Sequence, residues 1–231
     1  MESYKVLFED GKPIAPERIS FCVSRFGDSY AKTVRTMILS TDRSDLNKVL
    51  FLKNCAILLA NFKMTRAGPF KGIRVDKSNG KVVDHRKKLE EAWNNVGKDL
   101  IALKGFLAGA ECKPRARTIL LLNEGSRKKV IEELWNIFKK LLPVTMSSYS
   151  YGLVGASKIL FSVLPEIALP IDNAMWLKLF KTVDYADVIR LMTEEIRKWE
   201  KITREPLEKC DENGPTTLPA VYNVMAMRVR G

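Results

Sequence analysis

Residues 151–180, YGLVGASKILFSVLPEIALPIDNAMWLKLF, decide how this chain folds. Gly152 and Gly155 are small enough to let a second backbone come close. The apolar run behind them predicts a buried helix, and two prolines then bracket a short connection, because proline cannot continue a helix interior. Asp172 follows at an N-cap position, ahead of the apolar stripe of a second helix. The stretch therefore predicts a carboxylate held at a helix N-terminus beside a buried helix.

The composition indicates a globular helical protein. The chain has 231 residues, of which 46% are hydrophobic, and no apolar run reaches the roughly 18–20 residues that a membrane helix needs. We expect one domain over residues 1–231, built as one body or as two lobes. The N-terminus has no secretory pattern, and the four cysteines are scattered, so we expect a cytoplasmic monomer with reduced thiols. A single histidine leaves little material for a zinc site or a Ser-His-Asp triad, and we expect no metal and no cofactor.

The charge predicts a polyanionic partner. The formal net charge is +12 and the isoelectric point is near 9.5, as in many nucleic-acid-binding proteins. A nucleic acid is the polyanion that the charge favours. A lysine-rich, thermophile-like proteome, in which Lys and Glu are both frequent, is the alternative explanation.

Residues 63–88 form the most basic part of the chain. They contain nine Lys or Arg against two Asp. Asn79-Gly80 lies between two alternating segments, which is a strong signal for a tight β-hairpin. We interpret the stretch as a basic hairpin insertion that contacts phosphates, with a solvated, non-functional loop as the alternative.

A second basic region precedes an amphipathic helix predicted over residues 127–142. Ser126 is the expected N-cap and Pro143 the expected end. Arg127 and Lys128 oppose the helix dipole in the first turn, a mismatch that a bound phosphate would relieve. Across both basic regions, the predicted DNA contacts are Lys71, Arg74, Lys77, Lys81, Arg115, Arg117, Arg127 and Lys128.

The remaining pattern is mainly α-helical, with a short strand or hairpin arm at the start. Periodicity and capping signals place the other elements. The arm is predicted over residues 4–15 and the helices over residues 16–25, 30–39, 45–62 with Ser44 as cap, 87–108, 186–201 and 220–229.

Two motifs in residues 151–180 resemble a known family. ALPIDNAMW, residues 168–176, resembles the Pro-Val-Asp-x-His-Met-Trp segment of 8-oxoguanine DNA glycosylases, which belong to the helix-hairpin-helix DNA glycosylase superfamily. YGLVGASKIL, residues 151–160, resembles the Gly-Val-Gly-x-Lys-Thr-Ala hairpin and helix of that superfamily. The resemblance implies a glycosylase-like helical bundle, with Gly152 and Gly155 in a DNA-contacting hairpin.

The same resemblance implies a DNA repair glycosylase that flips a damaged base out of duplex DNA and excises it. Asp172 matches the aspartate that stabilises the sugar cation. Lys158 is the candidate amine nucleophile of a lyase step. Lys158 lies about one helical turn closer to the aspartate than the family spacing, which falls on Val154.

A non-catalytic protein is the alternative that the residues leave open. A helical scaffold of this kind can bind nucleic acid or a protein partner without chemistry. Asp172 would then be only a helix cap, and Lys158 would extend its amine out of a core helix.

Overall fold

The protein is described by a computed structural model, which covers residues 5–26, 33–34, 46–109, 115–147, 151–211 and 216–229. The chain is mainly helical, as predicted. The helices are α1 (Pro16–Arg25), α2 (Lys48–Asn61), α3 (Lys88–Gly109), α4 (Thr118–Leu121), α5 (Glu124–Thr145), α6 (Leu153–Val163), α7 (Tyr185–Thr203) and α8 (Leu218–Val229), with a π-helix at Met175–Phe180. Two antiparallel pairs join β1 (Phe8–Glu9) to β2 (Lys12–Pro13) and β3 (Arg74–Val75) to β4 (Val82–Val83).

The predicted bounds of α1, α3, α7 and α8 are confirmed to within about two residues, the usual uncertainty of helix ends. Helix α2 begins later than its sequence pattern predicts. Asn47 is its cap, because the Asn47 side chain accepts a hydrogen bond from the Leu50 N–H at 3.0 Å. The predicted cap Ser44 and nearly all of the predicted helix 30–39 lie outside the described residues.

Helix α5 is longer at both ends than its sequence pattern predicts. Asn123, not Ser126, is the N-cap, and its side chain accepts a hydrogen bond from the Ser126 N–H at 2.8 Å. Pro143 does not end the helix, which continues to Thr145. A proline this close to the C-terminus removes only one backbone hydrogen bond, so the last turn survives.

Helix α6 lies at the centre of the packing. It packs against α2 on one side and α5 on the other, and α5 also contacts α3 and α7. Every residue from Gly155 to Val163 is buried. A helix covered on all sides needs an apolar sequence all round, which explains the run that the sequence places here.

The N-terminal arm is fastened to the body by a buried carboxylate. The Glu195 carboxylate accepts hydrogen bonds from the backbone N–H groups of Val6 and Leu7, each at 2.8 Å, and from the Tyr222 hydroxyl at 2.7 Å. Burial raises the pKa of Glu195. This buried acid on an otherwise amphipathic helix is invisible in the sequence pattern.

The described cysteines are unpaired thiols, as expected. Cys55 and Cys210 are buried, and Cys112 lies outside the described residues. Burial raises the pKa of Cys55 to about 12. Within the described residues, no helix is both long and apolar enough to cross a membrane.

Candidate functional site around helix α6

Gly152 and Gly155 bring α6 against the end of α5. Gly152 has φ +80°, and a Cβ there would lie 2.9 Å from the Leu142 carbonyl oxygen. A Cβ on Gly155 would lie 2.9 Å from Thr145 Cβ. The predicted close backbone approach is therefore confirmed. Both glycines are buried. Their contact with DNA remains a prediction, and only their backbone atoms could make it.

The basic stretch 63–88 is anchored on the same helix. Phe70 Cε2 would lie 2.9 Å from a Cβ on Gly155, so the Phe70 ring fills the space that the glycine leaves. Phe62, just before the stretch, lies under the Lys158 ammonium, with Nζ 4.1 Å from the ring centroid. Two aromatic contacts thus fix the start of the basic stretch to α6.

Ser157 joins α6 to the segment that carries the candidate carboxylate. Its Oγ accepts a hydrogen bond from the Ile171 N–H at 3.0 Å and lies 3.2 Å from the Ile171 carbonyl oxygen. The same Oγ lies 3.0 Å from the Val154 carbonyl oxygen. The glycosylase spacing places the lysine at position 154. In this protein that position is Val154, which is apolar and lies one helical turn before Ser157. Sequence reasoning passed over Ser157 because a serine in an apolar helix has no motif of its own.

Asp172 is the cap that its position predicts. Its Oδ1 accepts a hydrogen bond from the Met175 N–H at 2.9 Å, and its carbonyl accepts one from the Trp176 N–H at 3.0 Å. The side chain is half-buried. The sequence predicts an α-helix after it, but the helix is a π-helix: the Lys181 N–H donates to the Trp176 carbonyl, five residues back.

The predicted nucleophile Lys158 is a buried residue with 7% of its surface exposed. Its ammonium packs on Phe62, as described above. Ser157, its neighbour in sequence, makes the hydrogen bonds to the segment ahead of Asp172. The catalytic roles of Asp172 and Lys158 remain predictions.

The β3–β4 hairpin confirms the predicted turn in a wider form. Four residues, not two, connect the paired ends, because the Asp76 N–H donates to the Lys81 carbonyl and the Gly80 N–H to the Asp76 carbonyl. The Asp76 carboxylate accepts hydrogen bonds from the Ser78 hydroxyl and N–H, which hold the pKa of the Asp76 carboxyl below its usual range. Strand β3 packs on α2, so the hairpin is held against the body.

The cations of the basic stretch are almost all exposed. Lys88 is half-buried and pairs with Glu91, with Nζ 2.7 Å from Oε2. Asp84 caps α3 by accepting a hydrogen bond from the Leu89 N–H at 2.7 Å. The exposed cations are Lys63, Arg66, Lys71, Arg74, Lys77, Lys81, Arg86 and Lys87.

The second group of predicted DNA contacts is less uniform. Arg117 is bound to two carboxylates, Glu200 at 2.7 Å and Glu208, which raise its pKa. Its charge is already neutralised, so the predicted phosphate contact is not retained. Arg127 is buried and Lys128 is exposed. The side chain of Arg115 lies outside the described residues.

Four cavities of the molecule have walls without the candidate carboxylate or the candidate lysine. Residues of the described ranges line these cavities, of about 630, 450, 410 and 490 Å³, and neither Asp172 nor Lys158 is in their walls. In the same ranges no cluster of His, Cys, Asp or Glu could hold a metal ion. Searches of protein-family models, curated proteins and solved structures find no match to this chain. Its function therefore has to be inferred from the site.

Proposed function

We propose that this protein binds duplex DNA through the basic stretch 63–88 and the backbone of Gly152 and Gly155 at the start of α6. The observation that carries the proposal is the group of eight exposed cations on a segment that two aromatic contacts fix to α6. A rigidly held set of cations can follow a phosphate backbone without first having to be ordered.

The electrostatics of the segment favour a polyanion. Its nine cations face two acids, so it carries an excess of seven positive charges. Both acids, Asp76 and Asp84, accept local backbone N–H groups. Cations gathered on one surface release counterions when they bind phosphates, which makes binding strong at low salt and steeply salt-dependent.

A charge-matched pair of double variants tests the binding surface. We expect Lys77→Gln with Lys81→Gln to weaken duplex binding and to reduce the slope of log K against log salt by about 2, one for each phosphate that the protein no longer neutralises. Lys98→Gln with Lys201→Gln removes the same charge from exposed positions on α3 and α7 and should leave the slope near the wild-type value. Fluorescence anisotropy with a labelled duplex over a salt series measures both.

Equal slopes for the two double variants would contradict the assignment of the surface, because net charge alone would then explain binding. A wild-type protein that does not bind a duplex even at low salt would contradict the proposal as a whole.

Base excision by Asp172 is a second candidate function. The observation that favours it is the half-buried carboxylate fixed by the Met175 N–H directly after the segment that Ser157 holds to α6. A carboxylate in a fixed position stabilises the cation that develops on a sugar when its base leaves. A glycosylase would meet the flipped nucleotide there.

In this proposal water, not Lys158, attacks the sugar. A lysine nucleophile must reach the sugar carbon, whereas Lys158 is 7% exposed and its Nζ lies 4.1 Å from the centroid of the Phe62 ring. We expect base release from one of a panel of duplexes that carry 8-oxoguanine, uracil, hypoxanthine, alkylated adenine or mismatched thymine. We expect no covalent product on borohydride treatment. A borohydride-trapped complex that Lys158→Gln abolishes would restore the lysine to the mechanism.

A further inference from the structure

A cavity of about 410 Å³ lies between the first turns of α5 and the middle of α7. It lies at the opposite end of α5 from the contacts of Gly152 and Gly155, and α5, with 22 residues, spans on the order of 30 Å between its ends. Its charged lining residues are Glu124, Arg127, Lys128, Glu132, Arg190, Glu194 and Arg197.

Arg127 is the unusual member of this lining. It is 8% exposed, and its Nη2 donates a hydrogen bond to the Leu122 carbonyl at 3.0 Å. Its second terminal nitrogen, Nη1, is buried and has no hydrogen-bond partner among the described residues. A buried cationic donor without an acceptor is destabilising. Protein atoms cover Nη1, so it would donate to a ligand in the cavity once the guanidinium turns toward that ligand.

The wall of the cavity carries both signs of charge. Lys128 and Arg197 add two exposed cations, and a third, Arg190, is paired with the Asp187 carboxylate. The three glutamates of the lining are also exposed, so water screens them more than it screens the buried cation. The first turn of a long helix adds a favourable field for negative charge.

We propose that this cavity binds a small oxyanion, a phosphate or a carboxylate, with Arg127 as its anchor. The planar guanidinium matches the geometry of both groups. Arg127 therefore belongs to a separate anion site and not to the surface that contacts DNA. This site does not depend on DNA binding or base excision.

Thermal unfolding in phosphate tests the proposal. A ligand that binds only the folded protein raises its melting temperature. We expect 10 mM phosphate, at about ten times its dissociation constant, to raise Tm by about 3 °C for a protein of this size. Sodium chloride at equal ionic strength is the reference, because screening alone affects a protein with charge +12. Acetate in a parallel series distinguishes a carboxylate ligand from a phosphate.

Two variants identify the site. Arg127→Gln should abolish the shift, whereas Lys129→Gln, which loses the same charge from an exposed position outside the cavity, should keep it. Arg190→Gln changes an exposed residue of the wall and should reduce the rise in Tm without unfolding the protein. This variant tests the site even if Arg127→Gln does not fold. The proposal is overturned if neither anion exceeds sodium chloride, or if the Arg127 and Arg190 variants respond like the wild type.

Discussion

Two aspartates that lie twelve residues apart, Asp172 and Asp184, both cap the start of a helix in this protein. Asp172 accepts a hydrogen bond from the Met175 N–H at 2.9 Å at the start of the π-helix. Asp184 accepts two, from Ala186 at 2.7 Å and from Asp187 at 3.2 Å, at the start of α7. A capping hydrogen bond therefore does not by itself indicate a function, since both side chains accept hydrogen bonds from N–H groups that lack a partner within the helix.

The two aspartates differ in what lies just before them. Asp172 follows Ile171, whose N–H and carbonyl both lie at Ser157 of the buried helix α6. Asp184 follows Val183, which is 63% exposed. A carboxylate whose preceding residue is fastened to the core is held in position from two sides, as a catalytic group must be. The comparison teaches that the attachment ahead of a cap, not the cap, singles out a candidate site.

The largest expected effect is on the rate of base release, and it distinguishes the Asp172 carboxylate from the Asp184 carboxylate. Asparagine caps helices as well as aspartate, so Asp172→Asn and Asp184→Asn should both fold normally. On a duplex that the wild type cleaves at a base, we expect Asp172→Asn to slow release by about 10²-fold or more, and Asp184→Asn to leave it unchanged. Single-turnover base release measures this. Equal rates for the two variants would place Asp172 in the same class as Asp184, a structural cap.

The next effect concerns the segment that precedes Asp172. Ser157 holds Ile171, and the Tyr185 hydroxyl accepts from the Leu169 N–H at 2.8 Å and lies 2.9 Å from the Leu169 carbonyl. Burial raises the pKa of Tyr185, so the hydroxyl stays a donor. We expect Ser157→Ala and Tyr185→Phe each to cost about 1–3 kcal/mol of unfolding free energy, because buried backbone groups lose their partners.

Urea denaturation measures these costs. Ser24→Ala is the control, since Ser24 is exposed on α1 and its hydroxyl donates to the Phe21 carbonyl at 3.0 Å. It should cost less than about 0.5 kcal/mol. A Ser157→Ala protein as stable as the wild type would show that the Ile171 attachment is unimportant and would remove the difference between the two aspartates.

The smallest effect is the loss of each cap. We expect Asp172→Ala and Asp184→Ala to destabilise the protein by about 0.5–2 kcal/mol each. The Asp184 side chain accepts the Ala186 and Asp187 N–H groups, and the Asp172 side chain accepts the Met175 N–H, so each loss should fall in this range. Thermal unfolding measures both variants, and a loss well above this range at either position would indicate that the aspartate stabilises the fold through more than its cap.

Much of the fold was predictable from local signals. Apolar periodicity and capping residues gave the bounds of most helices, and the apolar run of α6 predicted its burial. The misses have physical causes. Asn123 and Ser126 are both good caps, and only the geometry of the turn selects Asn123. A π-helix has the same side-chain types as an α-helix, so the six residues after Ala174 carry no distinguishing signal.

The candidate site was predictable only in part. Asp172 could be found because its position at a helix start is encoded in neighbouring residues. Ser157 and Phe70 could not, since both act through contacts with segments distant in sequence. Arg117 and Arg127 could not be assigned from the sequence either. A basic residue is expected to be an exposed charge, whereas Arg117 is paired with a carboxylate and Arg127 is buried.

The burial of α6 from Gly155 to Val163 also limits how the candidate site can move. Amide protons of a helix covered on every side exchange with solvent only when the whole domain opens. The hydrogen bond from the Ile171 N–H to Ser157 ties Ile171, and with it the next residue, Asp172, to this rigid helix. If Asp172 acts in base excision as proposed, its carboxylate would stay in place during an encounter with DNA. The distortion that brings a nucleotide to it would then occur in the duplex, and we expect lesions that already weaken base stacking to be excised fastest.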